Sequence, residues 1–496
     1  MSFSGSDVWS FLLIIGVLLV SMLIASSLKR AFRVLEKSLI PVSVLGGIIL
    51  LIISTIVYFA TGTYLFDLQI FSSGSDFSGM EILELITYHT LGIGFIAMGM
   101  RFSDKKFTKE RSVEIFNSGV TTVNTYLLQV LLGMTIVLCA MYLFNVTGLI
   151  EAAGVLLAFG FGQGTGQALN FGAIYEQSGL EGGANFGLTI AALGFLVACI
   201  GGVIYLNVLK TKGKIVIADK AEAPISLKDY QDNNEIPVVS SMDKFTVQIA
   251  IVLGVYILSY FLMMGLSALI PSLEDTLFGF NFFIGTLLTI PTKAIIKFLK
   301  RKNVLKHKVV NNFMMNRLGG FAFDLMIISG IAAIKLPLLA DHWELLLIMA
   351  LVGAVATFLY VYYVSRTLHK NYMHEQFLAM FGMLTGTAST GIILLREIDG
   401  SFRSPASENL VFQTLPAMVF GFPLMLLAPV ADNGTTSALT VLGIVVAMLV
   451  VLNLLLFRAQ IFRRKKNAVP PASCQTPQTD ESPDPVQDQP TDPPIA

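Results

Sequence analysis

The sequence predicts an all-α polytopic membrane protein: two inverted five-helix repeats, each with a re-entrant hairpin, plus one extra C-terminal transmembrane helix. Three observations predict it. Of 496 residues, 54% are hydrophobic and only 13% charged, where an ordinary soluble domain carries about a quarter charged. The mean hydropathy of +0.72 exceeds what a water-facing surface can hide. Two segments rich in Gly and Thr interrupt the apolar pattern at matching places in the two halves of the chain. The balance of 33 basic against 33 acidic residues says nothing about partners. Cys139, Cys199 and Cys474 cannot build a disulfide framework, and the first two lie in apolar runs as small core residues.

A helix needs about 20 apolar residues to cross the hydrocarbon. Runs of that kind extend from Val8 to Leu28, Ile40 to Ala60, Leu83 to Met100, Ile115 to Phe144 and Ala184 to Val208. A second set extends from Phe245 to Ile270, Thr276 to Pro291, Phe313 to Lys335, Trp343 to Ser365 and Asn409 to Ala431, and Ser437 to Phe457 adds one more. The leading MSFSGSD has an acid and no base, so the first run does not read as a cleavable signal.

Basic loops are retained in the cytoplasm. Lys29, Arg30, Arg33 and Lys37 place the first connection there, and Arg101 to Arg111, Lys293 to Lys308 and Arg458 to Lys466 fall on the same side. Asp67, Asp76, Glu81, Asp341, Glu344 and Asp432 fall on the other. The pattern predicts a cell (inner or plasma) membrane protein with its N-terminus outside and its C-terminus cytoplasmic. The polar stretch 209–243 reads as a cytoplasmic linker between halves 1–208 and 244–431. Residues 432–458 form the extra helix, and 459–496, rich in Pro, Asp and Gln, read as a disordered cytoplasmic tail. Five spans per half make the second half an inverted copy of the first.

The interrupted segments are expected hairpins over about 154–177 and 376–398. One offset of 220 residues pairs Gly162 with Gly382, Thr165 with Thr385, Gly166 with Gly386 and Ala168 with Ala388. A chain that turns back inside the bilayer exposes backbone groups, and survives only within protein or beside water. Glycine permits the turn, hydroxyls bond backbone and ligand, half-helix N-termini attract anions, and carbonyls with hydroxyls suit a hard cation such as sodium. The plainer reading of either segment alone is a glycine packing face.

Candidate binding residues are Gly162, Gln163, Gly164, Thr165, Gly166 and Asn170 in the first segment, and Thr385, Gly386, Thr387, Ser389 and Thr390 in the second. Asp324, an acid inside an apolar run, reads as a cation ligand or as a partner for Arg317. Arg396 reads as a carboxylate clamp or as a snorkelling anchor at the cytoplasmic rim. Thr165, Thr385 and Asp324 are the candidates for sodium. Gly162–Gly166 lacks the ending of a phosphate loop and the spacing of a dinucleotide fingerprint. The histidines (89, 307, 342, 369, 374) show no zincin spacing, and no nucleophile–base grouping stands out, so an enzyme is not expected.

Three stretches resemble the bacterial sodium/glutamate symporters. SLIPVSVLGGIIL is similar to that family's IPEPVAGG segment; GVLLAFGFGQGTGQALNFGAIYEQ resembles its first hairpin with GHGTG; NRLGGFAFDLMIISGIAAIKL is similar to its eighth span. The resemblance spans roughly residues 10 to 431. It implies a homodimeric secondary transporter that couples sodium entry to glutamate uptake by an elevator-like movement. Gly162, Gly164, Thr165 and Gly166 match the first signature, and Gly386, Thr390 and Ile392 match the second, GATPTAI. Gln163 replaces a His, Asp324 a small hydroxyl residue, and the second signature loses its Pro.

The expectation is a sodium-coupled importer of a small anionic amino acid, glutamate first. The alternatives are a sodium- or proton-coupled carrier of another carboxylate, or a passive channel on the same fold. The expected partners are the substrate, sodium as the coupling ion, the lipid bilayer and a second copy, with no other cofactor and no nucleic acid.

Overall fold

The computed structural model describes residues 6–37, 39–72, 77–102, 108–213, 243–271, 274–279, 281–304, 309–339, 342–399 and 404–461. Most of the expected linker and almost all of the expected tail lie outside them, as does the side chain of Ser389. No strand occurs among the described residues. Residues up to Leu456 form one unit; Phe457–Ala496 form a second, of which a short helix, Arg458–Ile461, is described.

The first half contains α1 (Ser6–Ala31), α2 (Val42–Thr61), α3 (Gly79–Gly99), α4 (Lys109–Tyr142), α5 (Thr165–Gln177) and α6 (Gly183–Thr211). The second contains α7 (Lys244–Leu269), α8 (Asn281–Arg301), α9 (Asn312–Ala332), α10 (Trp343–Leu368), α11 (Met373–Thr385), α12 (Ala388–Arg396), α13 (Ala406–Phe412) and α14 (Thr414–Val430); α15 (Thr435–Leu456) follows. Nine of these helices are long and apolar enough to cross a membrane: α1 to α4, α6 to α8, α10 and α15. The chain is an all-helical, polytopic membrane protein.

Local chemistry moves several helix ends from where apolarity alone puts them. The Ser78 hydroxyl accepts from the Glu81 N–H while the Glu81 carboxylate accepts from the Ser78 N–H. This capping box starts α3 four residues before the apolar run. Thr108 caps α4 at Arg111, so that helix begins at Lys109 rather than Ile115. The seventh run was expected to end at Pro291, but α8 carries Pro291 inside and continues to Arg301. A proline removes one helix bond without forbidding the turns that follow.

The eighth expected span, α9, has 21 residues but carries Asn316, Arg317 and Asp324, and falls short of the apolarity of the nine. The tenth is a bent pair, Ala406–Phe412 with Pro416–Val430, at 47°. Pro416 has no N–H for the Phe412 carbonyl, which breaks the helix there.

Packing exchanges elements between the halves. α2 lies on α1 and α9, α8 lies on α7 and α3, and α3 and α9 form the most extensive pair in the fold. Glycine sets the approach in both cases. A Cβ on Gly47 of α2 would stand 2.8 Å from Ile331, and one on Gly285 of α8 would stand 2.6 Å from Ile96.

Candidate functional site

The first Gly/Thr segment folds back on itself. Residues 158–163 form one stretch of wide, π-type helix, Gly164 breaks it, and α5 returns. The Phe159 and Phe171 rings, twelve residues apart, stack at 3.9 Å between centroids with planes 2° apart. In a continuous helix they would be separated by about 18 Å. Gly164 adopts φ 88° and ψ −173°, a conformation essentially restricted to glycine.

The second segment turns between α11 and α12. A Cβ on Gly382 would meet Gly391 Cα at 2.8 Å, which sets the two helices side by side. Thr387 is the N-cap of α12, its hydroxyl accepting from the Thr390 N–H at 3.4 Å and lying 3.3 Å from the Thr390 hydroxyl.

The two turns meet. From Gly164 a Cβ would point at Thr387 Cγ2, 3.6 Å away, and at the Gly386 carbonyl, 3.8 Å away. Gly164 and Thr387 are the N-caps of α5 and α12, so two helix N-termini converge on one junction. No side chain caps α5, and the first amides of a helix have no acceptor within it. Each N-terminus carries about half a positive charge and favours an anion by about 0.3–1 kcal/mol at an exposed site, up to about 2 when partly buried. The side chains placed there are hydroxyls and amides. Gln163 alone of the GQGTG run is half-exposed, whereas Gln167, in the first turn of α5, is buried with its side-chain oxygen unpartnered.

Gln167 escaped the sequence reading, and so did a second residue beside the junction. Gln129 of α4 is fully buried. Its Nε2 donates to the Leu384 carbonyl at 3.0 Å and to the Thr357 hydroxyl at 2.9 Å, fastening α11 to α4 and α10. Its Oε1 has no hydrogen-bond partner and faces Gly162, where a Cβ would approach it to 2.9 Å. The available signal was a polar stripe at helical spacing, Ser118, Thr122, Thr125 and Gln129, all buried on α4.

The other candidates fall in different places. Buried Thr165 reaches from the tip to α9, its hydroxyl donating to the Met326 carbonyl at 3.3 Å. Gly166 packs on Leu91 of α3. Thr385 is buried, but its hydroxyl is spent within α11 on the Phe381 carbonyl at 2.8 Å. Asn170 donates to the Gly279 carbonyl at 2.9 Å, away from the tips. Asp324 is half-buried beside Ser43 of α2, with no ion pair to Arg317, whose guanidinium lies over the Phe313 ring at 5.2 Å. Arg396 is exposed at the far end of α12, about 13 Å along the helix from Thr387.

A polar cluster holds the root of α11. Arg111 pairs with Glu114 and, at 3.3 Å, with Glu408. The Tyr372 hydroxyl donates to Glu114 at 2.9 Å and lies 3.0 Å from His369 Nδ1. Asn409 donates to Tyr372 and to Gln376, which donates to Ser118. Burial pushes the His369 imidazole down to about 4, Glu114 opposing and Arg111 adding to the fall.

A base held neutral in the fold is protonated more readily when unfolded. Its stabilisation is therefore complete above pH about 6.5 and is lost as pH falls toward 4. The melting temperature should drop between pH 7 and 5, and His369→Asn should flatten that drop. Identical slopes in the two proteins would release His369 from this role.

No protein-family model, no curated protein and no solved structure matches the chain.

Proposed function

We infer that this chain is a sodium-coupled secondary carrier that imports a small anionic amino acid, glutamate first, by elevator-type alternating access. The observation that carries the reading is the meeting of Gly164 with Thr387, which brings two helix N-termini together within an apolar bundle, that of α5 with no side-chain cap. Amide groups and positive potential there suit a carboxylate, and the low dielectric around them strengthens the attraction. The exchange of α2 and α8 between halves supports an inverted repeat with the hairpins entering from opposite leaflets. The basic loops support cytoplasmic C-terminal and external N-terminal ends in the cell membrane. The resemblance to the symporter family is the ground for glutamate, for sodium and for a homodimer.

The test is the melting temperature of purified protein across amino and dicarboxylic acids, in sodium against potassium. A ligand of the folded state raises apparent stability by mass action. An anion that stabilises only in sodium is the expected result, followed by uphill, sodium-driven uptake in proteoliposomes. Thr165→Val should weaken the response. Thr385→Val should leave it nearly intact, since that hydroxyl is engaged within α11. Saturable stabilisation by no carboxylate, or uptake that never exceeds equilibrium, would overturn the reading.

A further inference from the structure

Where α3, α5 and α9 come together, oxygen atoms outnumber the protons available to join them. Thr87, Thr165 and Ser329 are all fully buried. The Thr87 hydroxyl lies 2.8 Å from the Ser329 hydroxyl and 2.9 Å from the Leu83 carbonyl. Ser329 also reaches the Leu325 carbonyl at 2.6 Å and the Met326 carbonyl at 3.4 Å, and Thr165 reaches that same Met326 carbonyl at 3.3 Å. Five oxygen–oxygen contacts are thus served by three hydroxyl protons. The three protons are shared among these contacts, and six hard oxygens from three helices stand close together, an arrangement that a small cation suits.

We propose that Thr87, Thr165, Ser329 and the Leu83, Leu325 and Met326 carbonyls form a binding site for a small monovalent cation, of the size of sodium or lithium. The donors are all hard oxygens, and a cation of calcium or sodium size takes about six of them at about 2.3–2.6 Å. Oxygens around such an ion stand somewhat more than 3 Å apart, as the Thr165 and Ser329 hydroxyls each already do from the Met326 carbonyl. The Thr87–Ser329, Thr87–Leu83 and Ser329–Leu325 contacts, at 2.8, 2.9 and 2.6 Å, have to open by a few tenths of an ångström. A divalent ion is not favoured, because no carboxylate enters the shell and no cluster of three His, Cys, Asp or Glu occurs among the described residues.

The cation would join the anion junction through one residue. Thr165 is the first residue of α5: its N–H belongs to the helix terminus that meets Thr387, and its hydroxyl belongs to the oxygen cluster. Filling the cluster fixes α5 against α9 and so fixes the amides offered to the anion. The binding site itself stands without the carrier reading; its use in coupling rests on that reading.

The experiment is thermal stabilisation of the purified full chain by NaCl, LiCl, KCl and choline chloride at one ionic strength, without substrate. Sodium and lithium should stabilise, potassium and choline should not. Thr87→Val, Ser329→Ala and Thr165→Val should each raise the half-saturating sodium concentration at least about tenfold, whereas Thr87→Ser, which keeps the hydroxyl, should stay near the parent. Should one variant fail to fold, the remaining two decide.

Equal stabilisation by all four salts, a sodium response within twofold of the parent in the variants, or a Thr87→Ser protein as impaired as Thr87→Val would overturn the site. A sodium response that the variants lose, in a protein that no anion stabilises, would uphold the site and remove the carrier. An anion response with sodium titration unchanged in the variants would do the reverse.

Discussion

Replacing Gly164 by valine is expected to lower binding and uptake of the anion on the order of a hundredfold, the loss that a displacement of about 1 Å produces at a positioned site. Two effects act together. At φ 88° and ψ −173° a side chain costs about 1–3 kcal/mol of backbone strain. The new atoms also enter the gap to Thr387 and Gly386, only 3.6 and 3.8 Å from where a Cβ would be. Gly179 provides the control. It has φ 108° with nothing within 4 Å of a Cβ, so Gly179→Ala adds strain without touching the junction. That variant should melt lower yet bind as the parent does. A Gly164→Val protein with parental affinity would show that the two tips do not form the binding site.

Gln129→Leu should have the second-largest effect. The leucine fills similar space but leaves the Leu384 carbonyl and the Thr357 hydroxyl without the amide that now serves both. An orphaned buried acceptor costs about 1–3 kcal/mol, and here the cost falls on the end of α11 that carries the second tip. Stability and anion affinity should therefore fall together. Gln129→Glu keeps the shape but sets an oxygen against the Leu384 carbonyl, and should be at least as damaging. Denaturation in detergent measures the first quantity, ligand-dependent melting the second. Unaltered affinity in both variants would reduce Gln129 to a packing residue.

Much of this was legible along the chain. Apolar runs of about 20 residues mark helices because the bilayer leaves the backbone few other options, and nine such helices occur among the described residues. The folded-back segments were readable because glycine and threonine break an apolar run in a way that a crossing helix does not require. The matched offset is what raised the expectation that the two segments share one site, and Gly164 does lie beside Thr387.

What failed was knowledge of faces and distant partners. Asp324 stood out as a buried acid, yet spacing could not say that it looks toward α2 while Thr165 touches α9 near Met326 and Gly330. Asn170 and Arg396 lie close to the tips in sequence, but each residue along a helix carries them about 1.5 Å further away. Gln129 was missed because its partner Leu384 is 255 residues distant. Pro291 was given too much weight as a terminator, since proline interrupts a bond rather than a helix.

The length of α4 carries a consequence of its own. Its 34 residues extend about 51 Å, while the hydrocarbon core is about 30 Å thick. Its first turns carry Lys109, Glu110, Arg111 and Glu114, which suit the water side, and an apolar stretch longer than the hydrocarbon is accommodated by tilt that follows lipid thickness. Because Gln129 and the Arg111–Glu114 pair ride on that same helix, acyl-chain length is expected to shift the junction of Gly164 with Thr387, which ligand-dependent melting in lipids of different chain length would read.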